Sequence, residues 1–453
     1  MIGDRDRSQD RSIMRMFCFE CSVLCNSTNL AGFAPKSLVA GGVRCSFMLS
    51  PIFKEFIPSR ISASQIVLLL LVIKKIAYTG AVRYFNVINY GAKPDGVTDS
   101  SHAFMNAWKD ACQNEGMAQV SVPKGTYFTG SMSFYGPCKR RIIFENEGII
   151  LASKNLNVYP KMHWIVFARL EGFKLTGHGI FDAQGASAWA LNNRTDRTFP
   201  TSIQLSYVND SLIESITLLN SKMFHMMIFT CNNIKIESLN FTAPKTSPNT
   251  DGIHIGISNN IHIYSTHIST GDDCISIGPT TNGVIVENIF CGPGHGISIG
   301  SLGKYATDSD VSNILVKNCT IMDTTNGLRI KTWKQSFALT CKNFTFEDIY
   351  MKDVSNPIII DQEYCPFRSC SGRDDPSKVK IVDTKFKNVI GTSKTTIAIN
   401  LKCSSLEPCR GVEMSNIDLQ YQGFGKSKST CLNVVSPIIK DNVYPHVCGS
   451  KLE

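Results

Sequence analysis

Short runs of alternating apolar residues recur after residue 85, and Asn, Gly, Ser or Asp separates each run from the next. Alternation with a period of two is typical of β-strands, and the residues between the runs are typical of tight turns. The runs of one ladder begin 22, 22, 31 and 30 residues apart, at positions 253–255, 275–277, 297–299, 328–330 and 358–360. The longer third interval predicts an inserted loop around residues 303–310.

Two further ladders of apolar runs lie between the members of the first. The second comprises 234–236, 261–263, 284–286, 314–316 and 344–346, and the third comprises 239–241, Ile268, Ile289, Ile321 and Ile349. Three short strands per repeat predict an all-β fold, a parallel β-helix, in which each coil (one turn of the solenoid) buries its apolar residues by stacking on the next. A β-propeller blade needs about 40–45 residues, and a β-sandwich has no such fixed period.

The segment 99–114 has a different, helical pattern. Asp99 or Ser100 can cap its start, and apolar residues follow with helical spacing, at Ala103, Phe104, Ala107, Trp108 and Ala111. An open solenoid end needs a cover because its last coil has no neighbour. We therefore expect a short N-terminal capping helix.

Composition and charge narrow the class of protein. Charged residues make up 18% of the 453 residues, below the usual share of about 25%. The net charge is +9, but residues 1–81 hold ten Lys and Arg against five Asp and Glu, so the remainder is only mildly basic. Because the remainder has no basic run, we expect no nucleic-acid partner.

The apolar run at 66–73 is eight residues long, too short to span a bilayer but suited to the core of a signal peptide. Thr79, Gly80 and Ala81 supply small residues for cleavage. We predict an N-terminal extension at 1–65, a signal and cleavage region at 66–81 and a single domain at 82–453. About 65 residues precede the apolar run, so Met48 is a natural start site, and an uncleaved anchor is the alternative. We expect a secreted protein without stable membrane association.

The cysteines and glycosylation sequons also fit secretion. Thirteen of the 17 cysteines follow residue 81. Cys365 with Cys370, and Cys403 with Cys409, are spaced for short disulfide loops, and the odd total leaves a free thiol, for which we favour Cys231. Sequons for N-glycosylation occur at Asn26, Asn193, Asn209, Asn240, Asn318 and Asn343.

Aligning the first ladder places three polar residues in one column, because equivalent positions of stacked coils are about 4.8 Å apart. Asp251, Asp273 and His295 each stand two residues before an apolar run, and Asp272 stands one residue earlier than Asp273. Neighbouring carboxylates push their pKa values apart, so that one can act as an acid and another as a base. Glycoside hydrolysis needs this combination.

Two cations belong to the same face. Arg329 alternates with inward-facing apolar residues and should point outward, and Lys331 should point to the same side. Arg grips a carboxylate with two hydrogen bonds, so these cations indicate an acidic sugar. Two other interpretations remain. An Asp beside a Gly can have a purely structural role, forming hydrogen bonds to the backbone of a turn. A calcium-dependent lyase also uses clustered acids, although that interpretation explains His295 less well.

These residues form four motifs that resemble those of the polygalacturonases, glycoside hydrolase family 28. They are Asn249-Thr250-Asp251, Gly271-Asp272-Asp273, Gly294-His295-Gly296 and Arg329-Ile330-Lys331, and the resemblance extends from about residue 85 to about 423. The segments SPNTDGIHIG, CGPGHGISIGSLGKY, NGLRIKTW and NPIIIDQEYCP are similar to plant pollen-type exopolygalacturonases, which are galacturan 1,4-alpha-galacturonidases.

The resemblance implies a right-handed β-helix that hydrolyses α-1,4 links of polygalacturonate with inversion and without a metal or cofactor. It implies that Asp272 is the general acid, that Asp251 and Asp273 activate water, and that His295 supports the protonation of the acid or the binding. It further implies substrate-binding residues Arg329, Lys331, Asn249 and Tyr364. Stacked coils bring Asp251 and Asp273 closer than the roughly 6.5–9.5 Å of inverting pairs, so spacing alone leaves inversion and retention open.

Three functions stay open at this point. The first is a hydrolase that releases galacturonate from chain ends, acting as a monomer in the plant cell wall with pectin as its partner. The second is an endo-polygalacturonase or another pectin hydrolase. The third is a catalytically silent cell-wall binding protein on the same scaffold.

Overall fold

The computed structural model describes residues 82–192, 198–366 and 375–448, and two strands nearer the N-terminus. These strands, β1 (Lys36–Ala40) and β2 (Val43–Phe47), pair antiparallel. They belong to the compact unit Met1–Tyr78, and Thr79–Glu453 forms the other unit. The signal region at 66–81 lies outside the described residues, so the predicted boundaries stay predictions.

The larger unit is built mainly of strands, most of them short. In the N-terminal half these are β3 (Arg83–Asn86), β4 (Asp95–Asp99), β5 (Ala118–Val122), β6 (Thr126–Thr129), β7 (Met132–Tyr135), β8 (Ile142–Asn146), β9 (Ile149–Ala152), β10 (His163–Glu171), β11 (Lys174–Thr176), β12 (Ile180–Asp182), β13 (Thr201–Glu214), β14 (Thr217–Leu219), β15 (Met226–Phe229), β16 (Asn232–Glu237), β17 (Asn240–Thr242) and β18 (Ile253–Gly256). The second half adds β19 (Asn259–Tyr264), β20 (His267–Ser269), β21 (Ile275–Ile277), β22 (Asn282–Glu287), β23 (Phe290–Cys291), β24 (Ile297–Leu302), β25 (Val311–Met322), β26 (Asn326–Trp333), β27 (Leu339–Val354), β28 (Asn356–Tyr364), β29 (Val379–Ser393), β30 (Ile397–Lys402), β31 (Cys409–Tyr421), β32 (Lys428–Leu432), β33 (Val434–Val435) and β34 (Ile438–Tyr444).

These strands form three parallel sheets, because each strand pairs with the strands one coil before and one coil after it. Sheet A contains β7, β10, the start of β13, β15, β18, β21, β24, β26, β28, β30 and β32. Sheet B contains β3, β5, β8, β11, the end of β13, β16, β19 and β22, and sheet C contains β4, β6, β9, β12, β14, β17, β20 and β23. From β25 onward, β25, β27, β29 and β31 are long and run round the corner from sheet B into sheet C. The predicted right-handed parallel β-helix is confirmed.

The core is a stack of identical contacts between coils. In sheet A, Ile253 pairs with Ile275, Ile275 with Ile297 and Ile297 with Leu328, and all four side chains are fully buried. A buried aliphatic side chain of this size contributes about 1.5–3 kcal/mol. The predicted first ladder is therefore in register, and the second ladder likewise pairs from Ile234 onward in sheet B.

The third predicted ladder, in sheet C, is wrong at Ile289 and at Ile349. Ile268 pairs with Cys291 rather than Ile289, and Ile321 pairs with Met351 rather than Ile349. In both coils the paired residue stands two positions later, so an apolar residue at a similar interval was mistaken for the one in register.

Asparagines at the corner before sheet B explain why Asn precedes so many runs. Asn233, Asn260, Asn313 and Asn343 have φ values of 54–60°, in the left-handed region that Asn tolerates better than other side chains. Their amides stack: Asn260 Nδ2 donates to Asn233 Oδ1 (3.1 Å), and Asn343 Nδ2 donates to Asn313 Oδ1 (2.6 Å). Each of these bonds links the corners of two adjacent coils.

The predicted capping helix is confirmed as α1 (Ser101–Cys112), which packs on β3, β5 and β7. Ser100 is the N-cap residue, but its side chain makes no capping hydrogen bond. Asp99 Oδ1 instead accepts a hydrogen bond from the Ser101 amide (2.9 Å). Trp108 packs its ring 5.1 Å from that of Phe134. A second helix, α2 (Ala186–Trp189), lies between β12 and β13, and 3₁₀ turns occupy Val87–Tyr90 and Leu156–Val158.

Disulfides link Cys112–Cys138, Cys274–Cys291, Cys403–Cys409 and Cys431–Cys448. The predicted Cys403–Cys409 loop is confirmed; Cys365 is disulfide-bonded, but Cys370 lies outside the described residues. Cys231 is a buried free thiol as predicted, and Cys319 and Cys341 are two more. In the described ranges, no helix is long and apolar enough to cross a bilayer.

Candidate active site

The predicted acids lie in the turns that lead from sheet C into sheet A. Asp251 precedes β18, Asp272 and Asp273 precede β21, and His295 precedes β24. The Gly252 amide donates to the Asp273 carbonyl (2.9 Å), and the His295 amide donates to the Asp272 carbonyl (2.7 Å). These turns are therefore stacked on three successive coils, with their side chains on the outer face.

The glycines of these turns have no room for a side chain. A Cβ on Gly271 would lie 2.0 Å from the Ser247 carbonyl oxygen, and one on Gly296 would lie 2.1 Å from that of Asn326. The Gly271 amide donates to Thr250 Oγ1 (3.0 Å), which holds the turn of Asp272 against the turn before it. The motif residues around the acids thus position them by close contact between coils.

Asp251 is buried and bonded to neutral side chains. Only 6% of the residue is exposed, and Ser276 Oγ donates to its Oδ2 (2.7 Å). Since the Ser276 proton is used in this bond, His254 Nδ1 donates to Ser276 Oγ (2.7 Å). His254 stacks on Phe224 with ring centres 4.7 Å apart, and burial, with the charge of Lys331, lowers the pKa of His254 to about 4. A neutral imidazole therefore stands behind Asp251.

Asp273 is more deeply buried, at 1% exposure, and is bonded to a cation. Ser298 Oγ donates to Oδ1 (2.8 Å), and Lys331 Nζ donates to Oδ2 (2.6 Å). Burial opposes the charge of Lys331, but the attraction of Asp273 outweighs it and raises the Lys331 pKa. Asp273 and Lys331 form a buried ion pair.

Asp272 and His295 form the most open part of the site, with 20% and 38% of their side chains exposed. His295 Nδ1 and Asp272 Oδ1 are 2.9 Å apart, and the Asp273 amide donates to the same oxygen (2.8 Å). Burial alone would raise the pKa of Asp272 and lower that of His295. Their mutual hydrogen bond and attraction outweigh burial, so the pKa of Asp272 is lowered and that of His295 is raised.

The pKa of Asp251 moves in the opposite direction from that of Asp272. Burial raises it well above its ordinary value, and the charges of Asp272 and Asp273 raise it further. The upward shift favours the protonated form of Asp251, whereas the shifts of Asp272 and His295 favour a carboxylate beside an imidazolium.

The predicted cations lie on the next coil of sheet A. Arg329 is opposite Ser298 in the register and points outward, with its nearest nitrogen 3.7 Å from Asp361 Oδ2. The Arg329 guanidinium carbon and Lys331 Nζ are 5.1 and 5.5 Å from the centre of the Tyr364 ring. Arg329 Nε has no hydrogen-bond partner in the part of the chain that the structure describes. Arg329, Lys331 and Tyr364 are thus brought together, although the Lys331 ammonium is bonded to Asp273.

Asn249 has a supporting position. Its φ is 55°, and its amide oxygen accepts a hydrogen bond from Asn192 (3.1 Å), in the loop after α2. This hydrogen bond links the turn before Asp251 to a neighbouring loop. Asn249 therefore helps to fix the conformation of the turn that carries Asp251.

One ligand atom each from Asp272, Asp273 and His295 lie within 4.8 Å of one another, a spacing that a metal ion could use. However, Lys331 donates to one oxygen of Asp273 and Ser298 donates to the other. The position of a cation at Asp273 is thus taken by an ammonium group, which suits acid–base chemistry.

Residues 112–440 match the model of Glycosyl hydrolases family 28. This chain belongs to glycoside hydrolase family 28. The predicted family and the enzyme class are therefore confirmed. Residues 84–135 also match a model for the Rhamnogalacturonase A/epimerase, pectate lyase-like group.

Relatives of this family 28 hydrolase include a polygalacturonase of Gossypium barbadense, 44% identical over 80% of this chain and 90% of the relative. An exopolygalacturonase of Platanus acerifolia is 43% identical over 77% of this chain and 94% of the relative. Solved structures with the same fold include an exopolygalacturonase from Thermotoga maritima (TM-score 0.64, 18% identity, 79% of this chain and 91% of that one). An endo-xylogalacturonan hydrolase from Aspergillus tubingensis has a TM-score of 0.69 at 24% identity, covering 80% and 99% of the chains.

Four residues of the family 28 site were not assigned a role from the sequence: Ser276, Ser298, His254 and Asp361. The signal for the serines was present, because both occupy the outward position between two inward-facing Ile side chains, one coil after an aspartate. That pattern places a hydroxyl beside each carboxylate.

Proposed function

We propose that the protein is an inverting polygalacturonase that releases galacturonate from the ends of polygalacturonate. The observation that carries this proposal is the outer face of three adjacent coils, where three aspartates and a histidine meet. A cationic group on the next coil adjoins them. Acids alone serve many sugars, whereas the cations select a sugar that is itself a carboxylate.

The proton donor is the pair His295–Asp272. The pair is the most exposed acid–base group of the site and holds one proton across a 2.9 Å contact. As the glycosidic bond breaks, His295 Nδ1 passes its proton to Asp272, and Asp272 delivers it to the leaving oxygen. This leaves a neutral His295 beside an ionised Asp272. The histidine thus explains how a carboxyl with a lowered pKa serves as a general acid.

The water is activated by Asp251 and Asp273. The raised pKa of Asp251 makes its ionised form a good acceptor for the water proton, whereas both oxygens of Asp273 accept hydrogen bonds, from Ser298 and Lys331. Arg329 holds the carboxylate of the sugar beside the scissile bond, and Tyr364 supports the ring. Lys331 acts on the same carboxylate while it stays paired with Asp273.

Action at chain ends is supported by relatives named as exopolygalacturonases in Platanus acerifolia and Zea mays. A secreted cell-wall protein is supported by the disulfides and the sequons. We propose that it acts as a monomer, without nucleic acid or membrane partners.

The products formed early from polygalacturonate test this proposal. We expect monogalacturonate to appear first, in the β-anomeric form when observed by NMR before mutarotation. An early ladder of oligomers indicates an endo-enzyme, an α-anomer indicates retention, and no new reducing ends indicates a silent binding protein.

The role of Asp272 is tested by Asp272→Asn on two substrates. On polygalacturonate we expect a loss of about 10²–10⁴-fold in kcat, the usual contribution of a positioned acid. On a nitrophenyl galacturonide, whose leaving group needs no proton, we expect a much smaller loss. The matched Asp251→Asn variant should lose activity on both substrates. Equal losses of Asp272→Asn on the two substrates would contradict its assignment as the acid.

A further inference from the structure

The turn after β24 carries an exposed lysine at the edge of the site. The Phe337 amide donates to the Gly303 carbonyl (2.8 Å), and Gly303 has a φ of 81°. A Cβ on Gly303 would lie 2.6 Å from the Ser336 side chain, so the turn packs closely against the turn after β26. Lys304, the next residue, therefore projects from a fixed backbone.

Aromatic rings rather than carboxylates surround Lys304. Its Nζ lies 5.0 Å from the centre of the Trp333 ring and 5.2 Å from that of Tyr305. Within the described ranges, no carboxylate lies within 4.0 Å of this ammonium, unlike those of Arg329 and Lys331, which have Asp361 and Asp273. Lys304 thus keeps its charge free for an external anion.

The rings connect Lys304 to Arg329 and Lys331, the cations of the proposed site. Trp333 packs edge-on to Tyr364 with ring centres 5.5 Å apart, and Tyr364 in turn faces Arg329 and Lys331. In the described chain, the Trp333 indole N–H is also without a hydrogen-bond acceptor. The result is one continuous strip of three cations and aromatic rings along the ends of the sheet A strands. Aromatic faces suit the C–H face of a sugar, and the cations suit its carboxylate.

We propose that Lys304, with Trp333 and Tyr305, forms a second uronate-binding subsite. When one sugar carboxylate is held at Arg329, the next sugar of an acidic chain presents its own carboxylate to Lys304. The polymer is identified by the proposed function, on which this inference rests. The subsite itself rests on the unpaired ammonium and its place in the strip.

The substitution Lys304→Gln tests the subsite with substrates of increasing length. Digalacturonate fills only the two positions that flank the scissile bond, whereas trigalacturonate reaches one sugar further. We expect the KM for trigalacturonate to rise about tenfold, the usual effect of losing one charge-assisted hydrogen bond, with kcat little changed. The KM for digalacturonate should change less than twofold, and Lys304→Arg should restore the wild-type values. Lys235→Gln, which removes an exposed lysine of sheet B, is the control for net charge.

An unchanged KM for trigalacturonate would overturn the proposal, and so would equal rises for the two substrates, which would assign Lys304 to the first subsite. Failure of the proposed function gives a different result, because the wild type would then cleave neither oligomer. Calorimetric titration of trigalacturonate then measures the subsite directly: weaker binding to Lys304→Gln supports it, and equal binding overturns it.

Discussion

Asp251 and Asp273 are both aspartates at the same position of two adjacent coils, yet their surroundings differ. Each accepts a hydrogen bond from the serine one coil further on, Ser276 or Ser298. Behind Ser276 stands the neutral ring of His254, whereas Lys331 bonds directly to Asp273. One carboxyl is left with a raised pKa and the other is held in an ion pair.

The difference shows how a repeating fold builds an asymmetric site. Stacking decides where each carboxyl lies, because the coils share one register. The side chain beyond the serine, His254 or Lys331, makes the two carboxyls differ. A cation favours the ionised form of a buried carboxyl, and burial without a cation favours the neutral form. The same position on two coils thereby carries one carboxyl with a raised pKa and one held in an ion pair.

Removing the cation should erase the difference and have the largest effect. In Lys331→Met, Asp273 remains buried without its counter-ion, and breaking such a pair costs about 3–5 kcal/mol in the free energy of unfolding. Activity on polygalacturonate should fall at least about 10³-fold, because the site loses its charge balance and a substrate cation. Urea denaturation and a reducing-end assay measure the two effects.

The double variant Lys331→Met/Asp273→Leu is the control for the first prediction. It should regain much of the lost stability, since no charge stays buried alone, but no activity. Unaltered stability in Lys331→Met would show that the pair contributes nothing.

Removing one serine at a time tests whether the carboxyls respond differently. The Ser276 hydroxyl lowers the pKa of Asp251, so Ser276→Ala should raise that pKa further. Because the base must be ionised, the acidic limb of kcat/KM should move to higher pH, with about a tenfold loss on the acid side. The matched Ser298→Ala should shift the limb less, because Lys331 still holds Asp273. Identical pH profiles for the two variants would remove the distinction.

The smallest effect concerns the neutral histidine behind Ser276. The pKa values of His254 and of the buried His225 are about 4, below the unfolded value of about 6.5. The unfolded chain therefore binds more protons between these values, and stability falls as pH drops from about 6.5 to about 4. His254→Gln removes one of the two groups, so its unfolding free energy should fall less steeply over this range. A slope equal to that of the wild type would show that His254 is not buried in the neutral form.

The sequence predicted the first two ladders and the column of acids because both depend only on the interval between repeats. The runs that begin at residues 253, 275 and 297 are 22 residues apart, and equal intervals allow only one register between their coils. Asp251, Asp273 and His295 lie in the turns before these runs. The capping helix was likewise readable from its own spacing. Its cap was placed at Asp99 or Ser100, and the structure has Ser100 as the N-cap residue and Asp99 as the side chain that bonds the first turn.

The side-chain contacts within the column of acids could not be predicted from the sequence. Alternation shows that Lys331 points outward, but not that its long side chain reaches Asp273 two coils earlier. The hydrogen bonds of Ser276 depend on side-chain rotamers that spacing does not specify. The order of pKa values depends in turn on these contacts, so the proton beside Asp272 could not be assigned to His295 from the motifs.

The turn after β24 lets the coil change in length without a change in the register between strands. The coil that begins at Ile297 is nine residues longer than the one before it, yet Leu328 still lies directly on Ile297. The extra residues leave the stack at Gly303, so their number is free while the acids and Arg329 stay in place. For evolution and for protein engineering, this corner is an exchangeable part: loops of different length or charge can be inserted there to change which chains are accepted, without rebuilding the chemistry beside it.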